Sequence, residues 1–335
     1  MREELGKAAK ELGILARNSL RSVPAVRKLY YSVFNAESFG NIFWHDVMLA
    51  DRVRMTNYAR AIKKHIKPGM VVVDLGTGSG VLACLAAKRG AIVHAIEHTE
   101  MIERAKVLAS HNGLTNITFH KTHSKEFSLP DKVDVILHEQ IGMNLIDEDM
   151  VENILDLRDR VLKPGGKILP GHFELFFDPI ELKSESVLPY LHEQKFEGLD
   201  FACFRDGAAL PWAAGEGYDK RALEPADVKK VLKSGCSVMT LDLHTLPNPS
   251  LPKEWTLDTK LAASGRLDGF ALYFKIGFDT QIAFQTGPND ARTHWTPRLF
   301  RTEAQKVKAG ARVSLHVDAA NPTNAATWTW EHTVR

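Results

Sequence analysis

Val71-Val72-Val73-Asp74-Leu75-Gly76-Thr77-Gly78-Ser79-Gly80 runs from a continuous apolar stretch straight into a glycine-rich turn. An unbroken apolar run is the signature of a strand buried on both faces, as in a parallel sheet. Glycines after it serve where backbone takes φ > 0 or must approach a ligand closely. In an open parallel sheet the ligand pocket lies at the carboxyl ends of the strands. The next strand ends in Ala95-Ile96-Glu97, about 20 residues on, where a carboxylate can accept hydrogen bonds from both hydroxyls of a ribose. Turn and acid are common to dinucleotide and S-adenosylmethionine sites, so a nucleotide stays open. The spacing GxGxG led by Asp74 departs from the dinucleotide GxGxxG and favours the methyl donor. Asp74, Gly76, Gly78, Gly80 and Glu97 are the candidate cofactor residues.

Outward from this stretch the chain alternates strand and helix. Helical segments are expected over 80–89, 99–112 and 147–162. Strands are expected at Ala91–Ile96, Ile117–His120, Val133–Leu137 and Lys167–Leu169, the last after a turn at Lys163-Pro164-Gly165-Gly166. Such alternation gives an α/β, doubly wound, mostly parallel sheet. A helix is expected over 46–66, ending at Lys67-Pro68-Gly69. Residues 1–30 carry a loose apolar stripe (Leu5, Leu12, Ile14, Leu15, Leu20) that reads as a helical cap. Beyond Pro170 helical periodicity fades into short alternating segments such as His172–Phe177, Ser237–Leu243, Gly269–Phe278 and Arg312–Val317, the texture of a β-sandwich or barrel. Three units are expected: an N-terminal helical segment over 1–45 capping the cofactor site, a cofactor-binding domain over 46–170, and a β-barrel substrate domain over 171–335. Helix-like segments near 185–230 interrupt the last.

The bulk numbers suit an enzyme with more than one domain. The chain has 335 residues, 44% hydrophobic and 25% charged, with a formal net charge of +2, too balanced to argue for nucleic acid or a membrane surface. Three cysteines, Cys84, Cys203 and Cys236, make neither a disulfide framework nor a CxxC pair. The opening residues carry no secretory pattern and no run reaches a membrane span, so a cytoplasmic location is expected. His120 and His123 lack the acids or cysteines that would complete a metal site.

The strand Val133–Leu137 is followed by His138-Glu139-Gln140-Ile141-Gly142-Met143-Asn144-Leu145-Ile146-Asp147-Glu148-Asp149-Met150. Here the chain resembles the protein arginine methyltransferase family, whose loop after the fourth strand carries two glutamates nine positions apart with a glycine between. Glu139, Gly142 and Glu148 match it. The chemistry suits a pair of acids. A guanidinium is a planar cation at any physiological pH and the donor is a sulfonium, so the two repel unless anions intervene. Two carboxylates can each take a forked pair of hydrogen bonds and leave one nitrogen facing the methyl group.

Further segments extend the resemblance. His45-Asp46-Val47-Met48-Leu49-Ala50-Asp51-Arg52-Val53-Arg54 is similar to the family's H-x-x-M-L-x-D-x-x-R helix, and Thr293-His294-Trp295 to its T-H-W loop; Met150 also matches. The resemblance implies that Arg54 pairs with the donor's carboxylate, that His45 lies over the donor, and that Met48 packs beside the substrate guanidinium. It implies that His294 pairs with Asp51 as a proton outlet, and that His123 and Ser124 read the adenine edge. Glu139, Glu148, His294, Asp51 and Met48 are thus the expected catalytic set. The implied architecture is a Rossmann-like sheet followed by a β-barrel with a helical dimerisation arm. Phe196-Glu197-Gly198-Leu199-Asp200-Phe201 looks like that arm, which implies a homodimer. S-Adenosylmethionine is the implied cofactor, with S-adenosylhomocysteine as product.

The match covers roughly 38–183 and 293–300. Within it, Gln140 and Met143 stand where the family usually has tryptophan and tyrosine, and the family's aromatic N-terminal motif has no clear counterpart among Tyr30, Tyr31 and Phe34. These positions wall the substrate channel. Acceptors on the sequence reading therefore include arginine in proteins and free arginine or another small guanidino or amine metabolite. The symmetry of a dimethylated product is left open, with Met48 leaving room for a second methyl.

Overall fold

The computed structural model describes residues 42–147, 149–187, 191–204, 218–325 and 328–335. The expected N-terminal cap falls outside these, apart from residues 42–45. So does Glu148.

Two helices lead into the first sheet: α1 (Ile42–Ala50) and α2 (Arg52–His65). The single helix expected over 46–66 is broken at Asp51. That residue leaves helical geometry with φ −69° and ψ 95°, and its side chain caps α2 by accepting from the Arg54 N–H at 2.9 Å. A short acid that can satisfy an orphan N–H starts a helix more readily than it continues one.

Five parallel strands follow, β1 (Val71–Leu75), β2 (Ile92–Ile96), β3 (Ile117–His120), β4 (Val133–His138) and β5 (Leu162–Leu169), in the order β3-β2-β1-β4-β5. They alternate with α3 (Val81–Ala87), α4 (Met101–His111) and α5 (Met150–Val161). The turn expected at 163–166 is absorbed into β5 as a bulge: Val133 pairs with Leu162, and Val135 with Lys167. The direction of winding reverses between β1 and β4. Their carboxyl ends therefore border the crevice where open α/β sheets hold ligands.

The second half is antiparallel. A long strand Gly265–Gly277 pairs with His172–Leu182 on one side and Arg298–Val307 on the other, within a seven-stranded sheet. A three-stranded sheet of Glu254–Lys260, Arg312–Asp318 and Thr329–Val334 lies beside it. The described strands curl over one core but close only part of a barrel, since no ladder among them joins the two sheets. Nor is the boundary at Pro170 a gap in the core. Val72 and Ile136 of the parallel sheet belong to the same buried apolar cluster as Phe173, Phe270 and Trp295.

The helical arm expected near 185–230 takes a different form in the described residues. They hold 3₁₀ turns at Ser184–Ser186, Leu191–Glu193 and Ala202–Phe204 and a hairpin of Lys195–Phe196 with Leu199–Asp200. Glu197 and Gly198 both take positive φ, 49° and 82°, the geometry of a two-residue hairpin turn whose twist suits the flanking strands. Phe196 and Leu199 at its tip are 67% and 63% exposed.

Candidate functional site

One cavity of about 390 Å³ opens at the carboxyl ends of β1, β2 and β4. Its floor is the turn after β1. Gly76 and Gly78 adopt φ +66° and +51°, conformations that an L side chain resists. A Cβ on Gly78 would lie 2.6 Å from Cε1 of His45, so the buried His45 ring covers the glycine. Glu97 closes the next side. Its Oε2 accepts from the Gly78 N–H at 3.0 Å and its Oε1 from the Thr99 N–H at 2.9 Å. Its buried carboxylate thereby locks the end of β2 onto the turn.

The opposite wall is an ion pair. Nη2 of Arg54 lies 2.6 Å from Oε2 of Glu139, the residue that leaves β4, and both side chains are largely buried. Arg54 also donates through Nη1 to the Met48 carbonyl at 2.9 Å. Its Nε is buried without a hydrogen-bond partner among the described residues. Met48, His123 and Ser124 line the same cavity. Burial, the nearby His98 and Lys125 together hold the His123 imidazole below its ordinary pKa.

Two expected cofactor residues do not line the cavity among the described residues. Asp74 is buried beneath the turn, where Oδ2 accepts from the Thr77 hydroxyl at 2.6 Å and the Ala83 N–H at 3.0 Å. Burial raises its carboxyl to a pKa of about 6, against the lowering effect of those two bonds. Asp74 thus fastens the turn to α3 rather than facing the ligand space. Gly80, at φ +83°, sits against α4, where a Cβ would lie 2.7 Å from the Ala105 Cβ and 2.9 Å from its Cα. Its lack of a side chain lets two helices approach.

Asp51 and His294 also stand outside the lining and adjoin it through Arg54. Asp51 Oδ2 accepts from the His294 backbone N–H and from its Nδ1, both at 2.9 Å. Burial opposes ionisation of Asp51, but hydrogen bonds from the His294 side chain, the Arg54 N–H and the His294 N–H outweigh it and the net shift is downward. The neighbouring Trp295 donates from Nε1 to the Ile141 carbonyl at 2.9 Å. The 293–295 loop of the second half is thereby tied to the helix start at Asp51 and to the loop that follows Glu139.

That loop is pinned from within. Gly142 accepts from the Leu145 N–H at 2.9 Å, and Ile141, Leu145 and Ile146 are buried. Leu145 takes φ +74°, a conformation costing about 1 kcal/mol for a branched residue, held by the burial of its side chain. Of the two positions that depart from the family, Met143 packs on the core and Gln140 lines the cavity. Further lining residues had no signal of their own in the sequence. Asn153 lies one helical turn beyond Asp149, and His98 follows Glu97. The remaining member of the expected set, Glu148, lies outside the described residues.

Known proteins share this arrangement of sheet, loop and second half. Residues 66–204 match the family described as methyltransferase domain, and residues 174–329 match the arginine methyltransferase oligomerization subdomain. Protein arginine N-methyltransferase 1 of Dictyostelium discoideum is 30% identical over 293 residues, covering 85% of this chain and 83% of that protein. This chain belongs to the protein arginine methyltransferase family. Protein arginine N-methyltransferase 6 of Danio rerio is likewise 30% identical over 300 residues, covering 85% of each chain. Among solved structures, Arabidopsis thaliana protein arginine methyltransferase 10 superposes with a TM-score of 0.69 at 26% identity, covering 84% of this chain and 88% of that one. The Trypanosoma brucei PRMT1 enzyme-prozyme heterotetrameric complex with AdoHcy shares the fold, with a TM-score of 0.74 at 23% identity over 89% and 94% of the two chains. The methyltransferase family's parallel sheet and its curled antiparallel partner are the two halves described above.

Proposed function

We propose that this protein is an S-adenosylmethionine-dependent arginine N-methyltransferase acting on arginine within polypeptides. The observation that carries the reading is the placement of Glu139, paired with Arg54, in the same cavity as the Gly76–Gly78 turn and Glu97. The cavity's donor set fits the methyl donor. Arg54 lines the cavity as a cation that can meet a carboxylate, and Glu97 is placed to accept from ribose hydroxyls. Gly78 lets the His45 ring lie directly over the backbone of the turn. His123 and Ser124 line the same cavity and are assigned to the adenine edge. When bound, S-adenosylmethionine supplies an electrophilic methyl on a sulfonium.

Every other task falls to the chain. Glu139 meets the planar cation with a carboxylate that is already desolvated and oriented by Arg54. At an effective dielectric near 20, a contact of about 4 Å between unit charges is worth roughly 4 kcal/mol before desolvation. Glu148 is assigned as the second acid on the family pattern. Met48 gives an apolar wall beside the acceptor, and the Asp51–His294 pair accepts the proton that the nitrogen loses. Holding both reactants in line supplies much of the remaining rate. We assign donor binding to residues 46–170 and acceptor support to residues 171–335.

The relatives above are named for arginine in proteins, which supports a protein acceptor over the small-molecule alternative. No helix among the described residues is long and apolar enough to cross a membrane. Three cysteines without disulfide partners fit a reducing compartment, and we place the protein in the cytoplasm. The exposed Phe196–Leu199 hairpin and the oligomerization-subdomain match support a homodimer.

The test is transfer of labelled methyl from S-adenosylmethionine to arginine-rich peptides, with methylarginine identified by mass spectrometry. Turnover by the wild type and its loss in Glu139→Gln, with S-adenosylhomocysteine binding retained, are expected. A Glu139→Gln variant as fast as wild type would remove the assignment.

A further inference from the structure

Tyr58 is wholly buried and does not line the cavity, yet it reaches both partners of the Arg54–Glu139 pair that does. It lies one helical turn beyond Arg54 on α2, on the same face of the helix. Its ring centroid is 5.6 Å from Cζ of Arg54, within the roughly 6 Å over which a guanidinium is drawn to an aromatic face. Its hydroxyl donates to the His138 carbonyl at 3.0 Å. Burial pushes the Tyr58 phenol well above its ordinary pKa, so the hydroxyl keeps its proton and stays a donor. Phe278, just past the long strand Gly265–Gly277, packs edge-on against the same ring with centroids 4.8 Å apart.

His138 is the last residue of β4, immediately before Glu139. Its carbonyl shares one rigid plane with the N–H and Cα of Glu139, so a bond to that oxygen fixes where Glu139 leaves the strand. The His138 side chain is held as well. Its Nε2 donates to the Pro170 carbonyl at 2.7 Å, an oxygen that can only accept. We propose that Tyr58 is a positioning residue for methyl transfer, its hydroxyl holding the peptide plane from which Glu139 projects and its ring underlying the guanidinium that Glu139 pairs with. This inference rests on the reading above of Glu139 as the acid that meets the acceptor. The two contacts can be separated chemically. Phenylalanine keeps the ring under Arg54 and frees the peptide plane, whereas leucine removes both. Misplacing a reacting group by about 1 Å can cost about 10²-fold in rate, so the hydroxyl bond acts on turnover and the ring on the donor.

Steady-state kinetics on an arginine peptide and calorimetric titration of the full chain with S-adenosylhomocysteine test it, each run well below the melting temperature of the variant. Tyr58→Phe should lower kcat at least about tenfold, with the peptide KM within about threefold and S-adenosylhomocysteine affinity within about twofold of wild type. That affinity also reports that the variant is folded. Tyr58→Leu should lose as much kcat and in addition weaken S-adenosylhomocysteine at least about fivefold. Phe278→Leu disturbs the packing of the same ring but leaves the hydroxyl bond in place, and should keep kcat within about twofold. The inference is overturned if Tyr58→Phe turns over as fast as wild type. It is equally overturned if Phe278→Leu loses as much kcat as Tyr58→Phe, which would make Tyr58 a packing element. Equal S-adenosylhomocysteine affinity in Tyr58→Leu and Tyr58→Phe would overturn the part assigned to the ring. Wild-type protein that binds S-adenosylhomocysteine but transfers no methyl to arginine overturns the acceptor reading and this inference with it, whereas failure confined to the variants leaves that reading standing.

Discussion

One carboxylate oxygen of Asp51 accepts both the backbone N–H and the imidazole Nδ1–H of His294, while its other oxygen caps the helix that begins at Arg52. Asp51→Ala should cost about 1–2 kcal/mol from the lost cap. It should also lower kcat by on the order of 10²-fold through loss of an oriented base, with S-adenosylhomocysteine affinity held within a few-fold. Thermal unfolding and steady-state kinetics check the two parts separately. A variant with normal kcat would reduce the pair to a structural brace.

The Arg54–Glu139 pair is buried, and removing one partner strands the other. Arg54→Met is expected to destabilise the fold by about 3–5 kcal/mol and to weaken S-adenosylhomocysteine more than tenfold. The double variant Arg54→Met with Glu139→Leu should regain much of the stability and none of the donor affinity. Denaturant melts and calorimetry distinguish these outcomes. Equal stability of the single and double variants would contradict the pairing.

The glycines of the donor turn should fail in different ways. Gly80→Ala drives a methyl into the backbone of α4, 2.9 Å from the Ala105 Cα. It should cost several kcal/mol in urea unfolding, the combined effect of a clash and a strained φ. Gly78→Ala meets instead the edge of the His45 ring, which can swing aside. Its larger effect is expected on donor affinity, read by calorimetry.

Asp74 and Asp51 impose opposite slopes on stability with pH. Burial raises Asp74 to about 6, so its favourable contribution is complete below the ordinary carboxylate pKa near 4 and fades as pH rises to about 6. Asp51 is shifted down, so its contribution is complete above about pH 4 and fades in stronger acid. Asp74→Asn, which keeps an acceptor for Thr77 and Ala83, should flatten the melting temperature between about pH 4 and 6. An unchanged slope there would refute the buried-acid interpretation.

Phe196→Lys with Leu199→Lys replaces the exposed apolar pair at the hairpin tip. Sedimentation should show a shift from dimer towards monomer with an unchanged melting curve for each subunit. A dimer of wild-type affinity would place the interface elsewhere.

Much of the donor half was legible because its signals are local. A continuous apolar run, a glycine turn and an acid at the end of the next strand each follow from the nearest few residues. The face a residue presents is not local. In a strand buried on both sides no polar alternation says which way Asp74 points, and it points beneath the turn. Gly80 looks like part of a ligand loop until Ala105, 25 positions away in sequence, shows that it is a contact between helices. Glu139 was readable only through its resemblance to a known loop, since a lone acid at a strand end has no distinguishing pattern. Among the described residues of the arm expected over 185–230, helix-favouring stretches give way to 3₁₀ turns and to a hairpin set by the positive φ values of Glu197 and Gly198.

The bond from Trp295 to the Ile141 carbonyl has a bearing on how such chains can be recombined. The tripeptide 293–295 lies late in the sequence yet braces, through Asp51 and Ile141, a cavity wall built by the early part. A chimera joined at Pro170 would unite the loop after Glu139 with a stranger's indole and imidazole, and would need residues 293–295 transplanted along with the first half. Inheritance at this enclosure therefore follows proximity in space more closely than order along the gene.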